Sequence, residues 1–114
     1  MKANELMIGD WVLINTYPAK VKLIGETLVK VRNCDNSIDV DDILPVPLTA
    51  EIIAGNGHPQ VSIIWDDIKT EETGENWYEV MMHTGSDAAV LHIRYVHELQ
   101  HALRLYGIWK KIEL

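Results

Sequence analysis

From Ala19 to Arg32 the chain reads A-K-V-K-L-I-G-E-T-L-V-K-V-R, apolar and charged positions taking turns on both sides of a glycine. Period-two alternation marks half-buried strands, and the central glycine predicts a hairpin. Its register follows from which side chains share a face. A two-residue loop at Gly25-Glu26 would set Lys22 opposite Val29 and mix charge with apolar surface. A three-residue loop, Gly25-Glu26-Thr27, sets Val21 opposite Val31, Leu23 opposite Val29, Lys20 opposite Arg32 and Lys22 opposite Lys30. Because a one-residue slip moves every side chain to the other face, the three-residue loop is expected. Before the hairpin, I-G-D-W-V-L-I places a Gly-Asp turn ahead of a strand beginning near Trp11. After it, S-I-D-V-D-D-I-L-P-V-P-L predicts a short strand with Ile38 and Val40 inward and Asp39 and Asp41 outward, which Pro45 and Pro47 end.

Thr49 has the character of a helix N-cap for A-E-I-I-A-G-N-G, with Gly55 and Gly57 as the stop. Residues 1–48 therefore read as a small SH3-like β-barrel closed by a short helix. Residues 49–114 read as that helix followed by an antiparallel β-β-β-α unit, the two lobes forming one small α+β domain. In the second lobe Q-V-S-I-I-W is an apolar strand and D-D-I-K-T-E-E-T-G-E an acidic, glycine-containing loop. N-W-Y-E-V-M-M-H and A-A-V-L-H-I-R-Y pair as a hairpin. With Gly85-Ser86 as its loop, Val80 opposes Leu91 and Tyr78 opposes Ile93 on an apolar face. The other face then pairs Glu79 with His92 and Trp77 with Arg94. The last helix spans about Val96 to Tyr106 and stops at Gly107, its stripe of Val96, Leu99, Ala102, Leu103 and Tyr106 turned to the sheet. I-W-K-K-I-E-L is expected to add a closing strand.

Composition narrows the functional classes. A net charge of −7 over 114 residues argues against a general nucleic-acid binder, which needs a basic face for phosphate. The single cysteine, Cys34, excludes an internal disulfide and a cysteine-based zinc finger, and no motif gives it a histidine partner. The start, M-K-A-N-E-L-M-I-G-D-W-V, lacks the apolar run of a signal peptide, and no stretch reaches the roughly 20 apolar residues of a membrane helix. A cytoplasmic protein that meets no membrane and carries no cofactor is the expectation.

One stretch spells a catalytic signature. His97-Glu98-Leu99-Gln100-His101 matches H-E-x-x-H, in which two histidines four apart grip zinc and the glutamate activates its water. At about 100° per residue, however, His97 and His101 fall opposite the middle of the apolar stripe. Both are therefore expected at the surface, and the chain offers no second lobe to cover them. The G-x-x-H continuation that would add a third ligand is replaced by H-A-L-R-L-Y-G, and no spacing selects His58, His83 or His92. A small zinc-dependent hydrolase using His97, Glu98 and His101 is the alternative; a solvated helix face is the primary reading.

The other clusters point to binding. Asp35, Asp39, Asp41 and Asp42 have Val40 and Val46 where a calcium loop needs its glycine and final glutamate, so they read as a solvated turn. Glu79 and His92 read as a cross-strand ion pair. Lys20, Lys22, Lys30 and Arg32, by contrast, gather on one outward face of a hairpin in an acidic chain, where like charges across strands cost stability. They are the candidate anion- or partner-binding residues. The sheet face bearing Trp77 is a second candidate surface. Protein is the expected partner, with nucleic acid disfavoured by the net charge.

M-K-A-N-E-L-M-I-G-D-W-V at the start, P-V-P-L-T-A-E-I-I, and Y-V-H-E-L-Q-H-A-L-R-L-Y-G-I near the end together resemble a family of small uncharacterised proteins of gut Bacteroidetes, their phages and mobile elements. The resemblance runs in order along most of the chain, the middle loops matching poorly. It implies a cytoplasmic accessory protein and supplies no catalytic residues. In that family the terminal helix often reads V-H-x-L-Q followed by asparagine or another residue where His101 stands here, which makes H-E-L-Q-H particular to this member.

Overall fold

Short apolar-polar alternations separated by turn residues build an antiparallel sheet in the first part of the chain. Residues 1–108 and 110–114 are described in the computed structural model, which divides into two units, Met1–Val46 and Pro47–Leu114. The fold class is α+β, one unit carrying a five-stranded and the other a three-stranded antiparallel sheet.

In the first unit β1 (Trp11–Ile14), β2 (Tyr17–Ile24), β3 (Leu28–Val31), β4 (Ile38–Asp39) and β5 (Ile43–Pro45) lie in the order β4-β3-β2-β1-β5. One-turn 3-10 helices occupy Ala3–Glu5 and Val40–Asp42. The β1–β2 turn places Asn15 at φ 57°, a left-handed conformation that asparagine tolerates better than most residues. Val12, Val21, Val29, Val31 and Ile43 point inward and form the unit's core with Leu6 and Val40. Asp10, fully buried, shapes the turn that feeds β1. Its Oδ2 accepts the Met7 amide at 2.7 Å, and its backbone bonds both to Met7 and to Val21 on β2. The single short strand expected from about Ile38 up to the prolines is broken instead. Asp39 accepts the Asp41 amide at 2.9 Å and caps the 3-10 turn, so β4 and β5 pair with different neighbours, β3 and β1.

The second unit opens with α1 (Ala50–Gly55), capped as expected by Thr49, whose hydroxyl accepts the Ile52 amide at 3.3 Å. β6 (Val61–Trp65), β7 (Tyr78–Thr84) and β8 (Asp87–Ile93) form the sheet in the order β6-β7-β8. The β7–β8 register is the expected one: Tyr78 opposes Ile93, Glu79 opposes His92 and Val80 opposes Leu91, with Gly85 at φ 65° in the two-residue turn. Along β7 the alternation is complete, with Tyr78, Val80 and Met82 buried and the residues between them half-buried. Burial pushes the Tyr78 hydroxyl above its ordinary pKa.

The acidic segment expected as a loop contains α2 (Asp67–Thr73). Asp66 caps it by accepting the Lys69 amide at 3.0 Å, and Gly74 closes it in the left-handed conformation at φ 71°. An N-cap aspartate and a stop glycine eight residues later are ordinary helix boundaries; the intervening charge hid them. α3 (Val96–Leu105) ends as its sequence foretells. The Gly107 amide donates to Arg104 and the Ile108 amide to Leu103, a Schellman closure between two buried apolar residues. Among the described residues after α3 there is no strand; part of the closing strand expected over residues 108–114 lies outside the described residues. Asn56 anchors this tail instead. Its amide group exchanges hydrogen bonds with the Glu113 backbone in both directions, at 2.8 and 2.7 Å.

Candidate functional site

Lys20, Lys22, Lys30 and Arg32 remain on the outer face of the sheet, by a different route from the expected one. Val21 opposes Val31 as expected, but Leu23 opposes Lys30 and Ile24 opposes Val29, with a bulge between Val21 and Leu23. Gly25 lies with Glu26 and Thr27 between the two strands, as expected, but its amide already donates to Leu28 at 2.8 Å, and a Cβ there would lie 3.1 Å from the same carbonyl oxygen. The turn tightens to Glu26-Thr27, and the bulge takes up the extra residue. Lys22 and Leu23 then both oppose Lys30, while inward Val21 and Val31 keep Lys20 beside Arg32, whose amide donates to the Lys20 carbonyl at 2.8 Å. The bulge thus carries Leu23 from its expected core position to the outer face, 55% exposed, with Leu28 at 48%. Lys20 is held in place by its ammonium group, 5.0 Å from the Trp11 ring centroid. The result is a basic face with two leucines set among the charges.

His97 and His101 are placed differently from the sequence expectation. His97 is buried, at 7% exposure, and His101 is half-buried. The buried sector of α3 is wider than its apolar stripe, for Gln100 is buried as well. His97 stacks on Tyr95, ring centroids 5.9 Å apart, and meets His101 edge-on at 5.6 Å. Glu98, the water activator of the zinc reading, has another task. Its Oε1 accepts the amides of Arg94 and Tyr95 at 3.2 and 3.1 Å, turned back over the first turn of the helix as the glutamate of a capping box is. Among the described residues no His, Cys, Asp or Glu completes a three-ligand group with His97 and His101.

Such a group exists elsewhere. On the sheet face opposite Tyr78 and Val80, His92 Nε2 lies 3.0 Å from Asp66 Oδ2, and Glu79 stands within 4.8 Å of both. Three elements supply them: Asp66 from the end of β6, where its amide donates to Trp77 at 3.0 Å, Glu79 from β7 and His92 from β8. The Glu79–His92 register is as expected, yet the ion pair of His92 is with Asp66. Beside this cluster Arg94 stacks over Trp77, 4.6 Å from its centroid, and pairs with Glu75, whose hydrogen bond holds the guanidinium more firmly charged. The Trp77 indole donates to Thr73 of α2 at 2.8 Å. The Trp77–Arg94 pairing expected on this face is therefore present.

Cys34 is a half-buried free thiol 3.8 Å from the Asn36 carbonyl. Asp35, Asp41 and Asp42 are exposed around the turn that Asp39 caps. No protein-family model matches the chain, and comparison with curated proteins and with solved structures gives no significant match.

Proposed function

We propose that this protein is a non-enzymatic binding module whose first unit takes an acidic segment of another protein on the face formed by Lys20, Lys22, Lys30 and Arg32. One observation carries the reading: the bulge after Val21 brings exposed Leu23 into the basic face and leaves Leu28 beside it. Edge protection by lysine needs no exposed leucine. A protein interface uses apolar contacts ringed by charge, and the charges set on-rate and register more than affinity. The polyanionic backbone of nucleic acid fits less well. Met1–Val46 holds five cationic and seven acidic side chains, and Pro47–Leu114 five and ten, so neither unit attracts a long polyanion as a whole.

The first unit reads more finely as an SH3-like barrel. A five-stranded meander in which β1 pairs with both β2 and β5, with a 3-10 turn just before β5, supports that reading. The family resemblance supports a cytoplasmic accessory role tied to phages or mobile elements. No helix among the described residues is long and apolar enough to cross a membrane.

Fluorescence anisotropy with a labelled glutamate-rich peptide containing leucine tests the reading, with a single-stranded oligonucleotide of equal charge as comparison. The expected result is peptide binding that weakens steeply with salt and is lost in the double variant Lys22→Glu/Lys30→Glu, while circular dichroism shows an unchanged fold. Tighter binding of the oligonucleotide would overturn the choice of partner. Peptide binding indifferent to salt and to both substitutions, or none at all, would overturn the surface.

A further inference from the structure

We infer that Asp66, Glu79 and His92 form a binding site for a divalent transition-metal ion, open to solvent on one side. An ordinary surface ion pair needs one carboxylate for one imidazole, and Asp66 and His92 already satisfy each other at 3.0 Å. The second carboxylate is what that pairing leaves over. Glu79 stands beyond ion-pair distance from His92 yet within 4.8 Å of the other two donor atoms, so the cluster is anionic even when the imidazole is protonated. A divalent cation neutralises that excess.

The geometry fits a metal's requirements. Ligands about 2.1 Å from a metal on adjacent octahedral positions lie about 3 Å from one another, the separation Asp66 and His92 already have. Only Glu79 has to close in, and its side chain has the rotatable bonds to do so. Glu79 and His92 come from the paired strands β7 and β8, and Asp66 directly follows β6 with its amide bonded to Trp77, so the backbone holds the three together before any ion arrives. The Asp66 side chain is only 11% exposed, and the Lys69 amide already engages Oδ1 and leaves Oδ2 aimed at the cluster. The His92 side chain, 40% exposed, leaves the opposite side accessible.

Donor chemistry selects the ion. One imidazole nitrogen with two carboxylates suits Zn²⁺, Fe²⁺, Co²⁺ or Mn²⁺, whereas Ca²⁺ and Mg²⁺ favour all-oxygen sets and soft ions favour sulfur. Three protein donors leave coordination positions facing solvent, to be filled by water or by a donor atom of a bound molecule. Binding requires the proton that His92 Nε2 shares with Asp66 to leave that nitrogen, because the metal takes the same lone pair.

The experiment is titration of untagged protein with Zn²⁺ by calorimetry, repeated with Co²⁺ while following its visible absorption. One equivalent is expected to bind. Histidine ring NMR signals should shift at His92 and not at His97 or His101. His92→Ala and Glu79→Gln should each weaken binding at least tenfold; so should Asp66→Asn, which keeps an N-cap acceptor for α2. His101→Asn should leave binding unchanged, and circular dichroism of each variant checks that the sheet is intact. No uptake at millimolar Zn²⁺ would overturn the site. So would binding that survives His92→Ala and Glu79→Gln, or that is lost with His101→Asn, since the ion would then sit on the His97–His101 pair.

Discussion

Replacing Asn56 with alanine isolates one interaction that ties the end of the second unit to its beginning. Asn56 is buried at 9% exposure and closes α1. Its Nδ2 donates to Ile52 at 2.7 Å and to Glu113 at 2.8 Å, and its Oδ1 accepts the Glu113 amide at 2.7 Å. Each net hydrogen bond contributes about 1 kcal/mol, and a polar group left buried and unpaired costs about 1–3 kcal/mol. Glu113 is exposed and regains water on its side, so the loss should fall near 2–3 kcal/mol rather than at the sum of the extremes. Urea unfolding measures the total. Hydrogen exchange locates it: the Glu113 amide should be protected in the parent protein and exchange freely in Asn56→Ala. Deleting Glu113 and Leu114 removes the two Glu113 bonds from the other end and leaves the one to Ile52, so the two changes together should cost clearly less than their sum. A loss below about 0.5 kcal/mol, or a Glu113 amide that exchanges freely in the parent, would refute the clamp.

The remaining expectations concern the two cores. Leu99 and Leu103, 2% and 3% exposed, should each cost about 2–5 kcal/mol on truncation to alanine; losses below about 0.5 kcal/mol at both would mean that α3 is peripheral. Asp10→Ala removes a fully buried side chain and the 2.7 Å acceptor of the Met7 amide, in a turn whose Met7 and Ile8 are exposed, and should cost about 1 kcal/mol in thermal or urea unfolding, whereas an unchanged midpoint would show the turn to be held by its backbone alone.

What the sequence made legible follows the range of the interactions involved. The β7–β8 register was readable because one glycine turn and one apolar face decide it, with Tyr78 opposite Ile93 and Val80 opposite Leu91. The ends of α1 and α3 were readable because Thr49 and Gly107 act on backbone groups a few residues away. The β2–β3 hairpin was half readable. Alternation placed Val21 against Val31 and the three connecting residues at Gly25-Glu26-Thr27, but it cannot announce a bulge, nor the close approach of Gly25 to Leu28 that shifts the register. The single short strand expected from about Ile38 up to the prolines failed for a similar reason. Asp39, which alternation treats only as an outward residue, captures the Asp41 amide and turns the chain.

Chemistry was legible only where it was local, and locality misled. His97-Glu98-Leu99-Gln100-His101 stands out because its five letters are adjacent, yet a glutamate third in a helix is also what the capping box requires. Glu98 makes those bonds, to Arg94 and Tyr95. Burial of His97 was missed because a helical wheel ranks positions by their angle to apolar neighbours; it cannot register the Tyr95 ring stacked on the imidazole from outside the helix. The donor group that does converge, Asp66, Glu79 and His92, is spread over three elements and matches no contiguous pattern. Its Glu79–His92 pair was within reach of the hairpin register. Asp66 was not, because its place depends on β6 pairing with β7 across an intervening helix that the charged segment concealed. Once Asp66 is recognised as the cap of α2, its backbone pairing with Trp77 sets it beside Glu79, and the three donors follow from sheet geometry alone.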